Sequence, residues 1–499
     1  MYERCPLCTA DKLCFVAYSP RLPKAGKLVR ILKYTITAAL LYALAAGFAQ
    51  SYSASHAGGS GRCDWNLWRG PDRDGISRET GWDTGFINKP LKIKWKINVG
   101  LGYSGVAVCG KYIYTAGFDK VHGQNIIICL EAESGSAVWR YRYDTTALKQ
   151  WSDHAKNAMS ADFKGTKSTP VVDRDRLYFF GQLGDFHCLD AVSGSLIWRK
   201  QLMLELKAFS PTYSFASSPV IEGDMVVINA RKAGVALNKY TGAVIWDSGD
   251  GIANYSSASV YEAGGKKRFA VAGQKELFGV EAESGRILWS YAWRGGDYVL
   301  GSDAVPVKGG LYITTNSKLG AALLDVSKDR PVTIWRNNSI RSQYTTPVIS
   351  GDYIYGIDDY DLTRCTLRCV GLRDGLVKWE KFIETPANYT FTAGYLIIIK
   401  ERGDLYLVKA GPEKYAEAGN KKNIMNKSCL TAPVLCNGAV YIRNSRGDLI
   451  AIDVSKNRSL GVGDYFAFIL NRLRTAMNFI WNLLSSLLKK LLSAFAGIY

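Results

Sequence analysis

The chain has 499 residues, room for two or three domains, with 47% hydrophobic and 21% charged residues. Its formal charge is +19, but eight Lys/Arg against two acids lie in residues 1–62 and six against one in 456–499, leaving 49 against 41 between them. More than half of the excess therefore sits in the two ends, which excludes a nucleic-acid-binding body and points to basic flanks near a membrane or its export machinery.

Lys24, Lys27, Arg30 and Lys33 precede an apolar run from Tyr34 to Ala49, followed by a Ser/Ala/Gly stretch. A basic segment, an apolar centre and small residues at Ala49 and Ala57 predict a secretory signal over residues 1–57, or an anchor if it stays uncleaved. The run is short for a spanning helix. No Leu-x-x-Cys pattern precedes Cys63, which argues against lipid attachment. Cys5, Cys8 and Cys14 have no nearby His and fall short of a closed zinc site. The residues before Lys24 read most simply as lying upstream of the true start.

Past Asp64 the chain is a repeat. A small apolar run leads through an acidic residue, usually to Ser-Gly or Thr-Gly, and a Trp follows four residues after the Gly. The pairs are Gly135/Trp139, Gly194/Trp198, Gly242/Trp246, Gly285/Trp289 and Gly375/Trp379, and Trp335 ends a copy that has lost its Gly. Successive Trp residues are 59, 48, 43, 46 and 44 apart, and a period in the forties marks a repeat array. Each copy opens on a small polar patch before an apolar pair, as in Ser168-Thr-Pro-Val171 and Thr345-Thr-Pro-Val348. Four short strands rich in Val, Ile, Tyr and Trp, separated by Gly turns, make one antiparallel sheet. Stacking such sheets radially buries their faces and leaves short edges, so the fold class is an all-β propeller. The Trp ring should cover a neighbouring blade's turn, where Gly permits close approach.

First strands near Ser104, Ser168, Ser217, Ser256, Ser302, Thr345, Thr390 and Thr431 predict eight four-stranded blades over residues 64–455; seven remain possible if the seventh is too degraded. The last copy has no Trp strand of its own. Leu91-Lys-Ile-Lys-Trp95-Lys-Ile has the right pattern to complete it from the N-terminal side, closing the ring and removing a free edge. Cys129, Cys188 and Cys369 occupy matched third-strand positions, and Cys109 and Cys436 matched positions before a turn. Matched positions suit small core residues better than a disulfide framework. Cys365 and Cys369 lie too far apart along one strand to bridge.

Residues 464–499 differ from everything before. Asn471, Thr475, Asn478, Asn482, Ser485, Lys489 and Ser493 form a polar stripe at helical spacing. Leu473, Met477, Ile480, Leu484, Leu487, Leu491 and Phe495 form an apolar one. This basic amphipathic helix is expected on a membrane surface, or against an envelope protein, or across the propeller's own face.

The opening Trp65-Asn-Leu-Trp-Arg-Gly-Pro-Asp-Arg-Asp-Gly75 and the repeats resemble bacterial PQQ-like β-propeller repeat proteins, of the quinoprotein alcohol dehydrogenase-like superfamily. That superfamily also holds the propeller component of the outer-membrane barrel assembly machinery. Asn254-Tyr-Ser-Ser, Arg341-Ser-Gln-Tyr-Thr-Thr-Pro-Val348 and Asp448-Leu-Ile-Ala-Ile-Asp453 are similar too. The resemblance implies the fold and leaves activity open, since one fold hosts many functions.

Two functions are compatible with it. One is a monomeric propeller in the periplasm or cell envelope that binds a partner, with no enzymatic role and no nucleic acid. It is favoured by what is missing: the vicinal Cys pair general among quinone dehydrogenases, a Cys-x-x-Cys-His haem site, and long blade insertions. The other is a reduced PQQ-dependent dehydrogenase acting on an alcohol or sugar, with Ca²⁺ beside the quinone. Innermost strands face the central channel, so their residues are the candidates. Asp303 would be the base or ion ligand, Lys167 and Arg341 would hold cofactor carboxylates, and Tyr255, Tyr344 and Tyr389 would line the pocket. The bland alternative is that these polar walls bind water. The first blade connection is about 15 residues longer than the others, and Trp151, Asp153 and His154 in it would meet a ligand or simply lie on the surface.

Overall fold

The computed structural model describes residues 64–144, 165–293, 301–328, 330–343, 345–426 and 428–456. The leader, the loop holding Trp151, Asp153 and His154, Tyr344, and the helix expected over 464–499 lie outside the described residues.

Eight blades of four antiparallel strands follow one another along the chain, and the sheet of the seventh carries a fifth, parallel strand, Ile76–Ser77. Blade 1 runs from Ala107 to Tyr143, blade 2 from Val171 to Gln201 and blade 3 from Val220 to Asp247. Blade 4 spans Ser259 to Ala292, blade 5 Val305 to Asn337, and blade 6 Val348 to Glu384. Blade 7 spans Ala387 to Lys421, and the three strands between Val434 and Asp453 begin blade 8. Each first strand starts three residues after the polar patch that announces it, save in blade 7, where Ala387 precedes Thr390. The count of eight is settled by Ala416–Lys421, which supplies blade 7 with the outer strand its sequence obscures.

Blade 8 closes as expected. Ile93–Asn98 pairs antiparallel with Asp448–Asp453 and becomes the outermost strand of that sheet. A strand that precedes blade 1 in the chain thus completes the last blade and leaves no unpaired ladder inside the ring.

The blades are held together by the Gly–Trp phrase. Trp95, Trp139, Trp198, Trp246 and Trp335 each lie over the turn glycine of the next blade: Gly135, Gly194, Gly242, Gly285 and Gly375. A Cβ on any of these glycines would stand 2.5–2.7 Å from the ring or a neighbouring Asn337, or 2.8 Å at Gly242. The indole N–H completes the contact by donating to a backbone carbonyl of the same turn, Trp139 to Ala191 at 3.1 Å and Trp335 to Leu372 at 2.9 Å. Tyr114 donates to the Ala191 carbonyl as well.

Two of the repeat Trp residues depart from this pattern, each because the next blade has lost its turn glycine. Blade 5 has lost it, and Trp289 before it turns to Tyr261 of its own blade instead. Blade 7 has lost it too, so Trp379 of blade 6 does not cover a turn glycine as the repeat led us to expect. Its indole N–H still crosses the seam, to the Gly411 carbonyl at 2.7 Å, and its ring meets Tyr415 of blade 7 edge-on at 5.9 Å. A Cβ at Gly411 would have nothing within 4 Å, so that glycine makes no room for the ring. An aromatic contact replaces the close approach, and Trp379 is buried all the same.

Blade 7 has no Trp to offer blade 8. The seam is filled by a 3₁₀ turn, Thr84–Asn88, that buries Phe86 and Ile87 with Trp82 against Leu405, Leu407, Ile450 and Ile452. Gly419 on the outer strand leaves the space that Ile87 and Asn88 enter. The core as a whole is a ring of such seams. Between blades 2 and 3, for example, Val171, Tyr178 and Phe186 interleave with Val226, Ile228 and Val235.

The matched cysteines are small core residues: Cys129, Cys188 and Cys369 are buried thiols on third strands, and among the described residues every cysteine is free. Among the described residues no helix is long and apolar enough to cross a membrane.

Candidate functional site: a filled channel and its mouth

The segment between Trp65 and Glu79 lies inside the ring. Ile76–Ser77 pairs in parallel with Phe391 and Thr392, on the inner edge of blade 7 that faces the channel. From there the segment reaches every blade. Trp65 exchanges two backbone hydrogen bonds with Val108 of blade 1. Asn66 does the same with Val172 of blade 2, through its carbonyl and its side-chain amide. Arg73 donates to the Ile221 carbonyl of blade 3 and lies 3.8 Å from Glu222. Arg69 donates to the carbonyls of Thr346 and Pro347 in blade 6, both at 3.0 Å. Ser77 donates to Leu435 of blade 8, and Glu79 accepts from the Asn437 and Gly438 amides there.

Blades 4 and 5 are joined to this plug through one carboxylate. Trp68 donates its indole N–H to Asp303 Oδ2 at 2.7 Å, and the Ser257 amide donates to Oδ1, also at 2.7 Å. Burial raises the Asp303 carboxyl above its ordinary range, opposed by the Arg69 charge. The same burial lowers Arg69, with Asp303 opposing it. The two groups offset one another in a low-dielectric channel, where an unpaired charge would be costly.

The other candidates divide between the mouth and the blade seams. Lys167, just before blade 2, donates to Ser214 at 3.0 Å, and burial pushes its amine down to about 8. Beside it the Tyr255 hydroxyl accepts from the Tyr213 amide at 3.1 Å, with the two rings 6.2 Å apart. Arg341 sits across the mouth at blade 6. It grips Asp358 with two nitrogens, at 3.1 and 2.9 Å, and covers the Tyr360 ring at 4.4 Å. Tyr389 is buried away from the mouth and donates to the Tyr355 carbonyl in the seam between blades 6 and 7.

The structure therefore brings Lys167 and Tyr255 to one side of the mouth, holds Arg341 in an ion pair, and ties Asp303 of blade 5 to the plug. Among the described residues no three His, Cys, Asp or Glu side chains come together as metal ligands. Asp303, Arg341 and Tyr389 already spend their polar groups on partners within the protein. The mouth also carries side chains that the sequence reading missed. Phe209 and Tyr213 are exposed on the connection into blade 3, with Ile252, the bridge partner of Phe209, beside them. Their only signal in the sequence is an apolar, aromatic stretch in a connection where polar residues are expected.

A family model described as outer membrane protein assembly factor BamB matches residues 123–381, just over half of the chain. The chain belongs to this BamB family. Its blades superpose on BamB from Moraxella catarrhalis with a TM-score of 0.55 at 14% identity, covering 74% of this chain and 99% of that one. The same fold is shared with quinohemoprotein alcohol dehydrogenase ADHIIG from Pseudomonas putida HK5, at 13% identity, TM-score 0.58, and 80% and 81% coverage. A europium-containing methanol dehydrogenase gives 14% identity, TM-score 0.57, and 78% and 89% coverage. No curated protein sequence matches the chain. At these identities the structural likeness is one of fold.

Proposed function

We propose that this member of the BamB family is a propeller of the cell envelope that serves as a binding or assembly scaffold. The observation that carries the reading is the filled channel. Residues 65–79 bond to all the blades, directly or through Asp303, whose two oxygens are taken by Trp68 of this segment and by the Ser257 amide of blade 4. What remains for partners is the outer surface and the mouth, where Phe209, Tyr213 and Ile252 are exposed beside Lys167. The signal-like leader over residues 1–57 supports export, and the basic amphipathic segment 464–499 would hold the propeller to a membrane surface or an envelope protein.

The likeness to alcohol dehydrogenases keeps a second reading, PQQ-dependent oxidation of an alcohol or sugar. A titration of the purified protein with PQQ and Ca²⁺, followed by fluorescence and thermal shift, separates the two. The scaffold reading expects no saturable change. Saturable, Ca²⁺-dependent binding would overturn it. Removing residues 464–499 should release the protein from membranes after fractionation; unchanged association would remove the helix from the proposal.

A further inference from the structure

The seam between blades 1 and 2 is apolar over most of its length, with Ala107, Tyr114 and Ile127 against Val172, Leu177 and Phe179. Where the third strand of blade 2 begins, its chemistry changes. Asp185 and His187 are two residues apart on that strand and so share a face. Opposite stand Tyr141 and Tyr143 from the outer strand of blade 1. The His187 ring lies 4.3 Å from that of Tyr143 and 5.5 Å, near perpendicular, from that of Tyr141. Asp185 Oδ1 accepts from Gln201 at 3.1 Å and Arg199 at 3.3 Å.

Among the described residues the remaining polar atoms have no hydrogen-bond partner. Asp185 Oδ2, both ring nitrogens of His187 and the Tyr143 hydroxyl are all buried and unbonded. Asp185 and His187 are completely inaccessible, and Tyr143 is 4% exposed. Gly181 walls the site: a Cβ there would stand 2.8 Å from the Tyr143 hydroxyl. Folded proteins leave few such atoms orphaned, and an internal water commonly satisfies several at once.

We propose that the seam between blades 1 and 2 is a built site for one small hydrogen-bonding ligand, an internal water held by Asp185, His187 and Tyr143. Its two protons go to Asp185 Oδ2 and one ring nitrogen of His187, and its oxygen accepts the Tyr143 hydroxyl proton. The second ring nitrogen then carries the imidazole N–H, and Tyr141 is its aromatic neighbour. The ionisation states agree with this pattern. Burial lifts the Asp185 carboxyl only to about 6 and pushes the His187 imidazole down to about 3, so at neutral pH one is a carboxylate and the other neutral. Arg199 faces both, and with Tyr141 and Tyr143 completes the ionisable groups around them.

Two measurements on the full chain test the site. A high-resolution crystal structure should show a density peak within hydrogen-bonding distance of Asp185 Oδ2, a His187 ring nitrogen and the Tyr143 hydroxyl. The chain has four histidines, so ¹⁵N-histidine labelling can assign the ring of His187. It should be neutral from pH 7 to pH 5 and show a cross-peak to long-lived water, which Tyr143→Phe weakens severalfold. A dry seam, side chains bonded directly to each other, or a His187 ring without a water cross-peak would overturn the proposal.

Discussion

Trp68 donates its indole N–H to Asp303 across 235 residues of sequence, at 2.7 Å, inside the channel of the propeller. The bond ties the N-terminal plug to the fifth blade, and the Ser257 amide on the other oxygen extends it to the fourth. Asp303→Ala would leave two buried N–H groups without an acceptor, each costing about 1–3 kcal/mol. Thermal or urea unfolding should therefore show a loss of about 2–5 kcal/mol. Asp303→Asn keeps one acceptor oxygen and should lose less. Equal stability of Asp303→Ala and wild type would mean that the carboxylate does not anchor the plug.

The plug is also predicted to be needed for the ring. A chain starting at residue 81 retains every blade strand, including the closing Ile93–Asn98. It lacks the plug's bonds to the inner edges of the blades, including the one that reaches blades 4 and 5 through Asp303. Such a chain should unfold at a lower temperature or fail to fold cooperatively, and a synthetic peptide of residues 64–80 should restore stability when added. Unchanged melting in the truncated chain would show that closure does not depend on the plug.

The Trp–Gly contacts allow a paired test. Gly194 and Gly223 both have positive φ, 75° and 57°. A Cβ at Gly194 would stand 2.5 Å from Trp139, whereas at Gly223 nothing lies within 4 Å. Gly223→Ala should cost about 1 kcal/mol, the conformational term alone. Gly194→Ala adds displacement of a buried indole and should cost about 3 kcal/mol or more. Similar losses in the two variants would mean that the Trp moves freely.

These relationships were not equally visible in the sequence. The Gly–Trp phrase was legible because its two residues lie four apart, and the period repeats the message. Where a ring lands was less so: Trp289 and Trp379 carry the same phrase as the rest, but their contacts depend on a glycine in the following blade that has been lost. The closing strand around Trp95 was legible because it carries the same local pattern as the strands it replaces. The plug was not. Trp65 to Gly75 shows as a phrase similar to others in a family, but its bonds go to residues 40 to 360 positions away, which no local pattern encodes. Asp303 is placed correctly before a first strand, yet its partner Trp68 belongs to another part of the chain. Tyr389 stands on an innermost strand, but side chains alternate there, and its hydroxyl is turned into the seam with blade 6. The 3₁₀ turn that stands in for a Trp between blades 7 and 8 has no sequence signal beyond Trp82 and Phe86.

Ring closure depends on a second long-range group. Arg443 of blade 8 is 1% exposed and donates to the carbonyls of Ser104 and Ala116, the Thr115 hydroxyl and the Gly100 carbonyl, all at 2.7–3.0 Å. Burial pushes its guanidinium down to about 9. Only a planar fork reaches these acceptors together. Arg443→Lys should cost about 2 kcal/mol and Arg443→Met about 3 kcal/mol or more, through acceptors left unpaired. Urea midpoints would read both. A stabilised Arg443→Met would mean that burying the charge costs more than its four bonds return.

Asp185 and His187 should pull the pH dependence of stability in opposite directions. Asp185 has its carboxyl raised from 3.8 to about 6. The folded state therefore holds its proton more tightly than the unfolded one, and this stability is present below 3.8 and lost as pH rises through about 6. His187 is lowered from 6.5 to about 3, so its contribution is present above 6.5 and lost as pH falls toward 3. In the wild type the two trends oppose between pH 4 and 6. In Asp185→Asn only the histidine trend remains, so unfolding free energy should fall steadily with acidification, by about 2 kcal/mol or more from pH 6 to 4. At pH 7 the same variant should be more stable than wild type by up to about 3 kcal/mol, because a carboxylate no longer has to be kept ionised in the seam. His187→Phe should show the mirror image, gaining stability as pH falls from 6 to 4. Denaturant titrations across that window would decide it: parallel curves for wild type and both variants would mean that neither group titrates differently in the folded protein.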